Sequence, residues 1–181
     1  MSDPLPSIQR QLHRLQLQKQ NLFGILNALP VEDFFRQPDA NRWSIGQIAN
    51  HLYLSERNSM AYLKKKLSYP DTVPRFHFKS WGGIILIRLV FGLHIRIKAP
   101  DSINVWKMDN LLSRDELEQK WNELRQDMKD YLELQVPVFK NKLAYRHPFA
   151  GRMSMHQMVM FLNDHFRHHQ RQINRVLSHH R

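Results

Sequence analysis

The chain has 181 residues, of which 42% are hydrophobic and 24% charged, and a formal net charge of +11. This length and composition predict one domain over residues 1–181 with a sizeable hydrophobic core. The lack of cysteine excludes disulfides, thiolate metal ligands and a cysteine nucleophile, and it fits a reducing cytoplasmic compartment. The basic residues are spread along the chain, so nucleic acid is a less favoured partner. The N-terminal stretch has no basic region followed by an apolar one, and we expect no signal peptide.

The first half of the chain contains two segments with the apolar spacing of amphipathic helices. The first runs from about Leu5 to Leu29, and its apolar stripe consists of Ile8, Leu12, Leu15, Leu22 and Leu26. The second follows Ser44, which with Gln47 forms a predicted capping box, and it ends before Pro70 and Pro74. Its expected inward face consists of Ile45, Ile48, Leu52, Ser59 and Tyr62.

Residues 68–113 are too many for a simple loop, so we expect this connection to carry structure. It includes the apolar segment 81–97, "WGGIILIRLVFGLHIRI". That segment is shorter than about 20 residues and is interrupted by Arg88, His94 and Arg96, which argues against a membrane span. We favour a short helix that packs across the domain or in a subunit interface. A helix lying in a membrane interface is the alternative.

Two more helices follow. The third is predicted to begin at a capping box of Ser113 and Glu116 and to stop at Pro137. Its apolar stripe consists of Leu117, Trp121, Leu124 and Met128. The fourth begins at Ser154, with Gln157 completing the box. With no convincing strand alternation, the chain is predicted to be all-α, a four-helix bundle with a long structured connection between its second and third helices.

The fourth helix has a seam of residues at alternating steps of three and four. These residues are Met155, Met158, Leu162, His165, His169, Gln172 and Val176. A seam with this spacing faces a bundle core, so His165 and His169 are predicted to point inward. His168, Asp164 and Arg175 fall off the seam and are expected at the surface.

Two adjacent inward histidines need something to satisfy their nitrogens, and an i, i+4 pair is a usual helical arrangement for binding one metal ion. His51 lies beside Ile48 and Leu52 on the second helix. Alone it would be explained best as a core-edge histidine bonded to a backbone carbonyl. Together with the inward pair, it predicts a three-histidine site. Such ligands suit Zn, Ni or Fe and leave at least one position open for water or substrate.

Other residues near these histidines have less defined roles. Gln172 continues the seam and is expected to hydrogen-bond a ligand imidazole or a bound water; the alternative is a polar residue near the open end of the bundle. Trp43 is predicted to pack before the helix cap, or alternatively to line a cleft. Asn50 and Glu56 are expected in solvent. No general acid or base is assigned.

Two stretches, "WSIGQIANHL" and "HFRHHQRQI", resemble the DinB-like superfamily of four-helix-bundle metalloproteins. The family pattern is a tryptophan-serine helix start leading to a histidine, then an HxxxHxxQ helix. Arg171 departs from this pattern, because many relatives have glycine there. The resemblance implies that His51, His165 and His169 bind a divalent metal in a cleft at one end of the bundle. It also implies frequent homodimers.

Characterised members of this superfamily include thiol-dependent transferases and isomerases. The leading hypothesis is therefore a divalent-metal-dependent enzyme acting on a small-molecule substrate. Its nucleophile would be a low-molecular-weight thiol, such as bacillithiol, mycothiol or glutathione, or water in a hydrolase. The competing hypothesis is a non-catalytic, stress-related metal-binding or interaction module, with residues 81–97 docking a partner or a membrane.

Overall fold

A computed structural model describes residues 4–92 and 111–180, except for the side chain of His180. The described part is almost entirely helical, which confirms the all-α class. Its helices are α1 (Leu5–Asn27), α2 (Val31–Phe35), α3 (Ile45–Leu67), α4 (Ser80–Gly92), α5 (Arg114–Phe139) and α6 (Met155–His180). A 3-10 turn at Pro70–Thr72 and two short strands, β1 (Tyr145–His147) and β2 (Gly151–Met153), complete these elements.

The four long helices pack around a common core. Helix α1 contacts α5 and α6, and α3 contacts the same two helices on the other side. Most residues of the predicted stripes are buried in the core, and Leu12 and Leu124 are partly buried against it. Trp121 and Phe166 are among the largest fully buried side chains. Tyr62 is an exception, because its side chain is exposed and the neighbouring Leu63 is buried instead.

The predicted capping boxes are all present. The hydroxyl of Ser44 accepts the backbone N–H of Gln47, whose side chain accepts the backbone N–H of Ser44 in return. The boxes at residues 113–116 and 154–157 have the same reciprocal bonds. Each box satisfies two N–H groups that the helix itself cannot, so the starts of α3, α5 and α6 were readable from short local patterns.

The prediction that Pro137 stops the third helix is wrong, because α5 continues through it to Phe139. A proline inside a helix loses one backbone hydrogen bond and crowds the carbonyl of the preceding turn. Pro137 lies in the last turn, where few backbone bonds depend on it. Val136 on the same turn is buried in the core, and its burial offsets the lost bond.

A β-hairpin between α5 and α6 was not predicted. Its two strands are antiparallel and pair Tyr145 with Met153 and Arg146 with Arg152. Each strand has three residues, too few to produce a recognisable alternation of apolar and polar positions. Gly151, the first residue of β2, has a φ of 74°, a left-handed conformation that favours glycine.

Helix α4 crosses the domain and packs against α6 and β2. It fits closely against the hairpin, because a Cβ on Gly83 would collide with the backbone carbonyl of Ala150. Arg88 pairs with Asp164 on α6 at 2.8 Å. A short packed helix is thus confirmed for residues 81–92, while 93–97 lie outside the described residues. In the part of the chain that the structure describes, no helix is long and apolar enough to cross a membrane.

The expectation that Asp164 lies at the surface is wrong. Its side chain is buried beneath α4 and receives bonds from Arg88 and Arg167. The register of α6 places this residue off the inward seam, as predicted. Helix α4 covers that flank of α6, and the periodicity of α6 alone carries no information about α4.

Candidate metal centre

Helices α3 and α6 bring three histidines together in the core. The side chains of His51, His165 and His169 are 3%, 8% and 8% exposed, which confirms the prediction that the pair on α6 points inward. The Nε2 atoms of His51 and His165 are 3.3 Å apart, and those of His165 and His169 are 3.1 Å apart. The three residues form a group that could hold a metal ion.

The spacing of these nitrogens can be compared with what a metal requires. With metal–nitrogen bonds of about 2.1 Å, two ligand nitrogens lie about 3.4 Å apart at the tetrahedral angle and about 3.0 Å apart at a right angle. Both observed distances fall between these limits. The spacing of these nitrogens is therefore compatible with contact to one ion.

Gln172 orients one of the three histidines. Its Oε1 lies 2.9 Å from Nδ1 of His169. An amide oxygen can only accept, so Nδ1 of His169 carries the proton and Nε2 presents a lone pair toward the other two rings. Metal-binding histidines are commonly held by such a bond from their second nitrogen. The predicted hydrogen bond between Gln172 and a candidate ligand is confirmed.

The electrostatics of the site favour uncharged imidazoles. Burial lowers the pKa of His165 well below its usual value, and the neighbouring His169 and His51 lower it further. Burial also lowers the pKa of His169, again with help from nearby imidazoles. At neutral pH both rings are neutral, which is the form that binds a metal.

Aromatic rings surround the three histidines. The ring of Trp43 lies 4.9 Å from that of His51 and is stacked at 6.3 Å on that of His169, measured between centroids. Phe161 stacks on His165 at 5.4 Å, and Phe91 of α4 lies 5.8 Å from the same ring. Trp43 therefore lines the site, the second of its two predicted roles. These rings limit the access of water and lower the local dielectric.

The two off-seam positions near the site behave differently. Arg175 is exposed, as predicted. His168 is only partly exposed, because Phe91 stacks on its ring with the centroids 4.8 Å apart. His168 does not belong to the three-histidine group. The end of α4 thus covers one flank of the site, and sequence periodicity gave no signal for this contact.

The expectation that Asn50 and Glu56 are solvated is wrong, because both are buried. Asn50 bonds to the backbone of Gly46 and of Leu112, and so ties α3 to the segment before α5. The Glu56 carboxylate accepts bonds from Nε and Nη2 of Arg125 at 2.6 and 2.7 Å and from the indole N–H of Trp121. These partners, distant in sequence, fix the α3 backbone that carries His51.

The fold and the site define an all-α protein with a buried three-histidine group suited to one metal ion. The family model of the DinB superfamily matches residues 14–173, and the chain belongs to this superfamily. The matched region contains all three histidines and Gln172. Comparison with curated proteins and with solved structures gave no match.

Proposed function

We propose that this chain is a divalent-metal-dependent enzyme that activates a small thiol or a water molecule at His51, His165 and His169. The convergence of three histidine nitrogens carries this proposal. No fourth histidine, cysteine or acidic side chain among the described residues joins the group. A three-ligand set leaves a coordination position for an exchangeable molecule, whereas a closed four-ligand set is typical of structural sites.

A bound divalent ion would lower the pKa of a coordinated thiol or water and so supply a nucleophile at neutral pH. The surrounding residues prepare the ligands for this. Gln172 fixes the tautomer of His169, and burial keeps His165 and His169 unprotonated. The ring of Trp43 packs on two of the three imidazoles and restricts their rotation.

A thiol is favoured over water as the nucleophile. Low-molecular-weight thiols carry carboxylates, and exposed Arg175 lies close enough to His169 for its charge to lower that residue's pKa. A guanidinium there can bind a carboxylate. The absence of cysteine from the chain is compatible, because the sulfur would come from the cosubstrate. Zn, Ni and Fe are the candidate ions.

Turnover with a panel of thiols tests the proposal. Untagged protein is loaded with Zn, Ni or Fe and mixed with an electrophile and each of bacillithiol, mycothiol and glutathione. We expect metal-dependent loss of the electrophile with at least one thiol. His51→Ala should abolish it, whereas His13→Ala, which removes an exposed histidine on α1, should leave it unchanged.

Two results would redirect the proposal. Metal-dependent hydrolysis of an ester or amide without any thiol would make water the nucleophile. Full metal binding with no turnover in either assay would contradict an enzymatic role. It would favour the alternative, a non-catalytic metal-binding module.

A further inference from the structure

Helix α4 has an apolar surface on both sides. Its inner side chains, among them Ile84 and Ile87, are buried against the domain. The opposite side carries large apolar residues in solvent, and Phe78 just before the helix is 81% exposed. We call this the α4 outer face; it consists of Phe78, Trp81, Ile85, Leu86 and Leu89. A contiguous exposed apolar patch of this kind usually marks an interaction site.

The stretch of residues 72–92, which carries the α4 outer face, is basic. Residues 72–92 contain Arg75, Lys79 and Arg88 and no aspartate or glutamate. Within the described ranges neither Arg75 nor Lys79 has an acidic side chain within salt-bridge distance, so their charges remain available to a partner.

The hairpin beside α4 continues this character. Residues 134–163, which include it, also lack acidic residues. Its two strands pair Arg146 with Arg152 at exposed positions, and Phe149 at its tip is more than half exposed. The hairpin, which packs against α4, thus adds positive charge and an exposed aromatic side chain close to this helix.

Helix α4 cannot readily turn this face inward. Its inner side is fixed by the ion pair of Arg88 with Asp164 and by the close approach of Gly83 to the hairpin. At its end, the carbonyl of Phe91 accepts a bond from Arg171 on α6. The outer side chains are therefore held in solvent by contacts on the other side of the helix.

We propose that the α4 outer face docks on an anionic membrane, with the helix lying in the plane of the interface. Apolar and aromatic side chains would enter the boundary between headgroups and acyl chains, and the flanking cations would attract anionic lipid. Charge complementarity favours this occupant over a second copy of the chain, since two such faces would bring like charges together.

Co-sedimentation with vesicles tests the proposal. One vesicle set contains phosphatidylglycerol and phosphatidylcholine, and the other contains phosphatidylcholine alone. We expect binding to the anionic set that weakens with salt, because the attraction is screened. Lys79→Gln should weaken it about fivefold, the contribution expected for one cation near the surface. Ile85→Asp combined with Leu89→Asp should weaken it by about tenfold or more.

A matched control separates the face from the added charge. Leu134→Asp with Val138→Asp places the same two substitutions at exposed apolar positions of α5. This variant should bind about as well as the wild type. An equal loss of binding in both double variants would contradict docking through α4, as would equal binding to neutral vesicles.

Light scattering of the same proteins tests whether a second copy of the chain, rather than a membrane, covers the α4 outer face. The α4 outer face is a subunit interface if the wild type does not bind vesicles but forms a dimer, and if Ile85→Asp combined with Leu89→Asp converts that dimer to a monomer. The membrane proposal is then overturned. If the wild type binds neither lipid nor itself through α4, the proposal is likewise wrong.

Discussion

The hydrogen bond from His169 to Gln172 offers a direct way to perturb the candidate metal centre without removing a ligand. Gln172→Leu deletes the acceptor of a 2.9 Å bond and leaves the three histidines in place. Loss of such a partner typically weakens metal binding by 10–100-fold, which corresponds to about 1.4–2.7 kcal/mol. Nδ1 of His169 is then free to lose its proton to Nε2, the wrong tautomer for binding.

Affinity for Zn is measured by competition with a chromophoric chelator on untagged protein. We expect Gln172→Leu to bind Zn about 10–100-fold more weakly than the wild type. Gln172→Glu should retain wild-type affinity or exceed it, because a carboxylate is a stronger acceptor. Gln170→Leu is the control on the same helix, since that side chain bonds to Asn174 rather than to a candidate ligand. Unchanged affinity in Gln172→Leu would show that the tautomer is not set by this bond.

Three further predictions concern the fold around the site. Glu56→Leu leaves the buried Arg125 without its partner and should lower the free energy of unfolding, measured in urea, by about 3–5 kcal/mol. Adding Arg125→Met should recover most of that loss, and a loss below about 1 kcal/mol in Glu56→Leu would refute the pair's role. The pKa of His147 is lowered by burial from 6.5 to about 4, so the folded state binds fewer protons than the unfolded state. Stability should therefore fall as pH drops from about 6.5 to 4, by at most about 3 kcal/mol from this group, and His147→Asn should flatten that dependence relative to the wild type. Gly83→Ala should lower the free energy of unfolding by about 1–3 kcal/mol, because its new methyl group collides with the hairpin backbone. Gly82→Ala should not destabilise the protein, because Gly82 faces open space. Equal effects of the two substitutions on the melting temperature would argue against the close contact.

Features encoded within one helix could be predicted from the sequence. The capping boxes at Ser44, Ser113 and Ser154 depend on residues three positions apart, and all are present. The inward direction of His165 and His169 follows from the helical period and the apolar residues at either end of the seam. These patterns are local, so they can be interpreted without knowing where the neighbouring helices lie.

Features that depend on a partner distant in sequence could not be predicted. Asp164 was expected at the surface because it falls off the inward seam of α6, and Glu56 was expected in solvent. Each is buried because an arginine from another helix pairs with it, Arg125 in one case and Arg88 in the other. The contact of Phe91 with the candidate site likewise depends on the path of α4 across the domain.

The metal content of three proteins tests the central claim most directly. The wild type, His165→Ala and His13→Ala are purified without a tag, dialysed against a divalent ion and measured by elemental analysis. We expect about one ion per chain in the wild type and in His13→Ala, and a large loss in His165→Ala, which removes a nitrogen that lies within 3.3 Å of Nε2 of His51 and 3.1 Å of Nε2 of His169. Full metal content in a folded His165→Ala protein would contradict a metal centre at these three histidines.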